Sequence, residues 1–222
     1  MNVYAVKIPK KMSDYDFINY LNKVPAEKKE KLKDYLNRDE AVRSLFGVLL
    51  IRKALYENTG ANIDNITFRY NDYGKPLVDV PKTFHFNVSH SDEWVVCATD
   101  NLPIGIDIER INPIDLEIAK QFFTKEEYEF IISRPDRDKI STFYEYWTLK
   151  ESYIKAIGKG LSIPLNSFSI LNTEGKYFIK EEQNPNYHFY QRKISLDYVL
   201  ALCSQTSVSD FKITYFKYNN LV

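Results

Sequence analysis

Apolar and polar positions alternate along this chain in two rhythms, and the switches between them mark out its elements. Residues 2–8 alternate with period two and read as an edge strand. Ser13 then offers an N-cap for a short helix through Leu21, and a second, heavily basic helical stretch covers 26–36. From 39 to 58, Ala41, Leu45, Val48, Leu49 and Leu55 recur at helical spacing, with Gly60 just beyond as a stop. Period two returns at about 66–70, 84–89 and 94–99, with an Asn71-Asp72-Tyr73-Gly74 turn between the first two, and LPIGIDIE at 102–109 reads as a further strand. Thr124 to Glu127 fits a capping box that opens a helix. Residues 137–157 predict a long helix ended by Gly158-Lys159-Gly160, and alternating runs at 167–171, 176–180, 187–192, 197–203 and 211–216 finish the chain as strands.

Each half thus offers a long helix beside a small, mostly antiparallel sheet, with a join near Asn101-Leu102-Pro103. The expectation is an α+β protein of two similar halves, 1–101 and 102–222, packed closely together. Composition agrees with a real core, since 44% of the 222 residues are apolar and 17 Tyr and 14 Phe supply large buriable surfaces.

Thirty basic and thirty acidic side chains cancel. No bulk field therefore draws the protein to nucleic acid or an anionic membrane, and an anionic ligand must be held by a local cluster. Cys97 and Cys203 lack CxxC spacing and read as reduced core thiols. MNVYAVKIPKK meets charge after six residues, unlike a signal peptide, and apolar runs such as FGVLLI fall far short of the ~20 residues of a membrane span. These features predict a cytoplasmic protein without membrane or nucleic-acid partners.

Five segments carry candidate chemistry. In IGIDIE, strand alternation sends Ile104, Ile106 and Ile108 to one face and Gly105, Asp107 and Glu109 to the other. Two like charges about 7 Å apart on one face repel, and a shared hard cation relieves them, although for D-x-E alone a half-buried strand with a solvated acidic face is the plainer reading. In the long helix, Trp147, Glu151 and Lys155 share a stripe; an ordinary exposed Glu–Lys pair is the plain alternative. FHFNVSHS at 84–91 packs Phe84, Phe86 and Val88 on one side and projects Ser89 and His90 at its end, where a hydroxyl and an imidazole suit a phosphate. Tyr73-Gly74-Lys75-Pro76 places a lysine in a rigid turn. Lys28 and Lys31, three apart on the basic helix, with Arg43 on the next, can grip a phosphate monoester or form a solvated face.

In this order, the segments EKKEK (27–31), YGKP (73–76), FNVSHS (86–91), PIGIDIE (103–109), FFTKEEY (122–128) and YWTLKESYIKAIGKGLSIPL (146–165) resemble the Sfp-type 4'-phosphopantetheinyl transferases. The resemblance runs from about residue 2 to 171. It implies a pseudo-twofold α+β fold of two fused halves with coenzyme A and magnesium in the cleft between them. It further implies that Asp107, Glu109 and Glu151 bind Mg²⁺ and that Lys28, Lys31 and Arg43 hold the 3'-phosphate. By the same resemblance the Tyr73, Gly74, Lys75 and Pro76 turn meets the adenine, and Lys75, Ser89, His90 and Lys155 hold the diphosphate. The implied reaction moves the 4'-phosphopantetheine arm of coenzyme A to a serine of an apo acyl or peptidyl carrier protein and frees 3',5'-ADP. Glu151 or a metal-held water is the expected base, with Glu127, already explained by its capping box, the lesser candidate. Arg110-Ile111-Asn112 and 113–123 are the expected carrier contact. The alternatives are another magnesium-dependent phosphodiesterase and a catalytically silent coenzyme A-binding module. A monomer is expected, because one chain is long enough to supply both walls of the cleft.

Overall fold

The structure is a computed structural model that describes residues 1–60, 67–78, 84–180 and 187–221. Two layers of similar build make up the α+β architecture. In the first, strands β1 (Asn2–Lys7), β4 (His85–Ser91) and β5 (Trp94–Asp100) pack beneath a 22-residue helix, α3 (Arg38–Thr59). Asn37 caps that helix through the N–H groups of Asp39 and Glu40, and Gly60 ends it at φ 66°, a left-handed conformation that glycine adopts without strain. Leu45, Phe46, Leu49 and Leu50 fill the interface with Val6, Val95 and Cys97. Two shorter helices, α1 (Asp14–Leu21, capped by Ser13) and α2 (Ala26–Lys33), flank it.

In the second layer, β6 (Ile104–Arg110), β9 (His188–Ser195) and β10 (Tyr198–Ser204) form an antiparallel sheet in the order β6-β10-β9. A second 22-residue helix, α6 (Asp136–Ile157), lies on it and ends at Gly158 with φ 81°. Gly105 is what lets α6 lie so close: a Cβ there would stand 2.0 Å from the Ser152 carbonyl oxygen and 2.4 Å from the Ala156 nitrogen. Helices α4 (Ala119–Phe122) and α5 (Lys125–Ser133) and a hairpin of β7 (Ile170–Thr173) and β8 (Lys176–Ile179) complete this half.

Two expectations change. The first strand is interior rather than at an edge: the order is β11-β1-β5-β4, with the last strand, β11 (Ile213–Lys217), parallel to β1 from Val3↔Ile213 to Lys7↔Lys217. The chain therefore crosses back to the first layer, where Leu221 joins the core. The strand expected at 66–70 is β2 (Phe68–Tyr70), whose partner is β3 (Pro76–Val78) rather than the main sheet; residue 66 lies outside the described residues.

The layers meet along β4 and β6 without a main-chain ladder. Three β4 side chains substitute for one: Asn87 Oδ1 accepts the Ile106 N–H at 2.8 Å, Ser89 Oγ that of Ile108 at 3.4 Å and Ser91 Oγ that of Arg110 at 3.0 Å. Cys97 and Cys203 are buried and form no disulfide. No helix among the described residues is long and apolar enough to cross a membrane.

Candidate functional site

The seam between the layers opens at one end into a cavity of about 430 Å³. Its walls come from both layers. From the first come Lys28 on α2, Ser44, Gly47, Val48 and Ile51 on α3, Phe68 and Pro76 of the β2–β3 hairpin, and Val88, Ser89 and His90 on β4. From the second come Asp107 and Glu109 on β6 and Trp147, Glu151 and Lys155 on α6. Period two in β6 puts Ile104, Ile106 and Ile108 into the core and turns both acids to the cleft. Period 3.6 in α6 brings the Trp147–Glu151–Lys155 stripe opposite them, and Trp147 is stacked on Phe143 behind the wall.

Electrostatics concentrate at this junction. Asp107, 2% exposed, accepts from Ser89 Oγ at 2.8 Å and from Lys155 Nζ at 2.5 Å, both at Oδ1, whereas its Oδ2 is buried without a hydrogen-bond partner. Glu109 Oε2 accepts from Ser91 Oγ at 2.8 Å. Loss of solvent, reinforced by Asp107, pushes the Glu109 carboxyl up to about 7, and the same two causes raise Glu151. Burial works against charge on Lys155, but Asp107, Glu151 and Glu109 together hold its ammonium above the ordinary lysine value. Burial depresses His90, with Arg43 and Lys155 adding to the effect and Glu40 opposing it.

As the side chains stand, no three His, Cys, Asp or Glu among the described residues are grouped to hold a metal ion. The chemistry of the donors nevertheless fits a hard cation. Three carboxylates line one cavity, two are destabilised as anions, and Asp107 Oδ2 is a buried acceptor with nothing to accept.

The structure brings Lys28, Pro76, Ser89, His90, Asp107, Glu109, Glu151 and Lys155 to this cavity, and the other expected residues elsewhere. Lys31 stands near the rim with its Nζ 4.8 Å from the Tyr70 ring, the same tyrosine whose hydroxyl Lys28 contacts. Tyr73 and Gly74 lie at the exposed tip of the hairpin. Arg43 is tied to Glu40 at 2.5 Å and lines a separate cavity with Asp39, Asp92 and Glu93; the neighbouring Ser44 is among the α3 residues that face the cleft.

Three expectations need correction. Lys75 does not line this cavity: its Nζ donates to the carbonyls of Lys155 at 2.5 Å, Ile104 at 3.2 Å and Ala156 at 3.4 Å, closing the C-terminal end of α6, and burial brings its pKa down to about 8. Ser89 is not a free strand-end hydroxyl. It is buried within β4, donates to Asp107 and accepts from both Ile108 N–H and Lys155 at 3.1 Å, which uses its whole hydrogen-bonding capacity. Glu127 is 3% exposed, pairs with fully buried Lys150 at 2.9 Å and accepts from Ile170 N–H, in a region of the second layer separate from the cleft. It cannot serve a substrate there. Reading by motif missed Lys150, Asn87 and Ser91; the period-two Asn-x-Ser-x-Ser of 87–91 was the available signal for the last two.

Comparison with known proteins places this geometry in a family. A family model described as the 4'-phosphopantetheinyl transferase superfamily matches residues 103–203, and one for a 4'-phosphopantetheinyl transferase N-terminal region matches 11–102. The 4'-phosphopantetheinyl transferase gsp of Aneurinibacillus migulanus is 45% identical over 94% of this chain and 88% of its own length. The 4'-phosphopantetheinyl transferase Sfp of Bacillus subtilis is 36% identical over the whole of both chains. Among solved structures, a holo-(acyl-carrier-protein) synthase from Bacillus anthracis in complex with CoA (3',5'-ADP) aligns at 20% identity and a TM-score of 0.42, covering 46% of this chain and 94% of that one.

Proposed function

The chain belongs to the 4'-phosphopantetheinyl transferase superfamily, and from that membership we propose that its cleft moves the 4'-phosphopantetheine arm of coenzyme A onto a serine of an apo carrier protein, releasing 3',5'-ADP. The observation that carries the reading is the convergence of Asp107, Glu109, Glu151 and Lys155 on one cavity that Lys28 borders from the other layer.

Magnesium suits the donor set. Asp107, Glu109 and Glu151 would hold it, and it would supply charge neutralisation at the diphosphate. The chain's own groups account for the rest. Lys28 meets the 3'-phosphate, with Lys31 near the rim, which matches a multiply charged ligand to a protein of zero net charge. His90 and Lys155 face the diphosphate. The carrier serine oxygen bonds to the phosphorus that bears the pantetheine arm as the bond to the departing phosphate oxygen breaks. That oxygen leaves with the electron pair as part of 3',5'-ADP, beside the Lys155 ammonium. The serine proton passes to the Glu151 carboxylate, which lines the same cavity as Lys155.

Both walls come from one chain, which supports a monomer whose specific activity survives dilution. Two buried cysteines outside any disulfide support a cytoplasmic setting. The test is the intact mass of a panel of apo carrier proteins incubated with this protein, coenzyme A and Mg²⁺. Gain of one phosphopantetheine is expected and names the preferred carrier. Release of 3',5'-ADP from coenzyme A without any carrier would indicate a hydrolase instead.

A further inference from the structure

The side-chain seam between β4 and β6 has a regularity that main-chain satisfaction alone does not require. Asn87, Ser89 and Ser91 each give an oxygen to one β6 N–H, those of Ile106, Ile108 and Arg110. The residues just before those three in the chain are Gly105, Asp107 and Glu109. The seam residue is an amide where the preceding position is glycine and a hydroxyl where it is an acid. Both hydroxyls donate to that acid, Ser89 to Asp107 and Ser91 to Glu109, each at 2.8 Å.

We propose that Ser91 is a positioning residue for Glu109. Its oxygen accepts the Arg110 N–H, which fixes the hydroxyl on the backbone of the very strand that carries the acid, so its proton is directed at Glu109 Oε2. With Oε2 committed, Oε1 is the oxygen left for a ligand. A glutamate side chain has several rotatable bonds, and holding it in one conformation before binding lowers the entropic cost of coordination. Ser89 restrains Asp107 in the same way but also contacts Lys155, so Ser91 is the position where this role is separable.

The inference rests on the proposed magnesium site, and the test separates the two. Mn²⁺ binding in the presence of coenzyme A is followed by electron paramagnetic resonance for the wild-type protein, Ser91→Ala, Ser91→Thr and Asn87→Ala, alongside melting temperatures and coenzyme A affinity in chelator. Ser91→Ala is expected to weaken Mn²⁺ by about 10- to 100-fold with coenzyme A affinity unchanged, and Ser91→Thr to retain the metal. Asn87→Ala removes a seam acceptor but no carboxylate contact, so it should lower the melting temperature by about 2–4 °C and leave Mn²⁺ affinity intact. If Asn87→Ala does not fold, Ser204→Ala, which loses the buried 2.7 Å bond to Asp100, serves as the stability control. Wild-type Mn²⁺ affinity in Ser91→Ala, or an equal loss in the control, overturns the positioning role. A wild-type protein that binds no Mn²⁺ overturns the metal reading and this inference with it.

Discussion

Gly105→Ala is a change of one methyl group with consequences for both stability and catalysis. The added carbon would meet Ser152 O at 2.0 Å, Ala156 N at 2.4 Å and Ala156 Cα at 3.0 Å. All three are main-chain atoms inside α6, so no rotamer change relieves the collision. Real Cβ contacts essentially never fall under 3.0 Å, which means that β6 and α6 must separate by about 1 Å. Overpacking of this kind costs about 1–3 kcal/mol, and a rigid helix as the obstacle argues for the upper end. At about 2–4 °C per kcal/mol for a chain of this size, the melting temperature should fall by roughly 6–12 °C. The same separation moves Glu151 and Lys155 away from Asp107 and Glu109, and a misplacement of about 1 Å can cost on the order of 100-fold in rate. Gly47→Ala is the matched control: its Cβ would lie at an ordinary 3.4 Å from Val88 Cγ1, and replacing a helical glycine should stabilise by roughly 0.5–1 kcal/mol. Thermal melts of the two variants, together with the carrier-loading rate of Gly105→Ala, decide the matter. Gly105→Ala with an unchanged melting temperature and near-wild-type turnover would refute the claim that β6 and α6 are set by this contact.

Three more outcomes are expected. Lys28→Ala should weaken coenzyme A by about tenfold but 3'-dephospho-coenzyme A little, by calorimetry, because its proposed partner is the 3'-phosphate and its site is only half-buried; equal losses would make it a plain surface lysine. Lys150→Met leaves buried Glu127 unpaired and should cost about 3–5 kcal/mol in denaturant unfolding without changing coenzyme A affinity. In chelator, Glu109 binds its proton more tightly folded, with a value of about 7, than unfolded near 4.5, so its contribution to stability is lost as pH rises between those values. Glu109→Gln should then gain stability over the wild type across that window and hold a constant advantage above it, and a difference independent of pH would contradict the shift.

How legible all this was depended on chain distance. Period two in 104–109 and period 3.6 in 147–155 were enough to turn Asp107, Glu109, Glu151 and Lys155 in workable directions, because facing is a local property. The place of Lys75 is not legible locally, because its partners Lys155 and Ala156 lie some eighty residues away, where no local pattern points. The first strand looked like an edge because its second neighbour is β11, at the far end of the sequence. The motif shows Ser89 as a hydroxyl, yet its hydrogen bonds are taken by β6 and Lys155, and a motif says nothing about whether a donor is already engaged.

The return of β11 to the side of β1 bears on how the chain can be made and cut. As it leaves the ribosome, the first layer has β5, β4 and α3 long before residues 213–221 exist, so one flank of β1 stays unpaired and the core lacks Phe216 and Leu221 until those residues have emerged. Contacts of such long range are slow to form and tie both layers into one cooperative event. A recombinant that exchanges residues 1–102 with a relative must therefore bring its own final strand, because a splice at the midpoint alone would join β1 of one parent to β11 of the other.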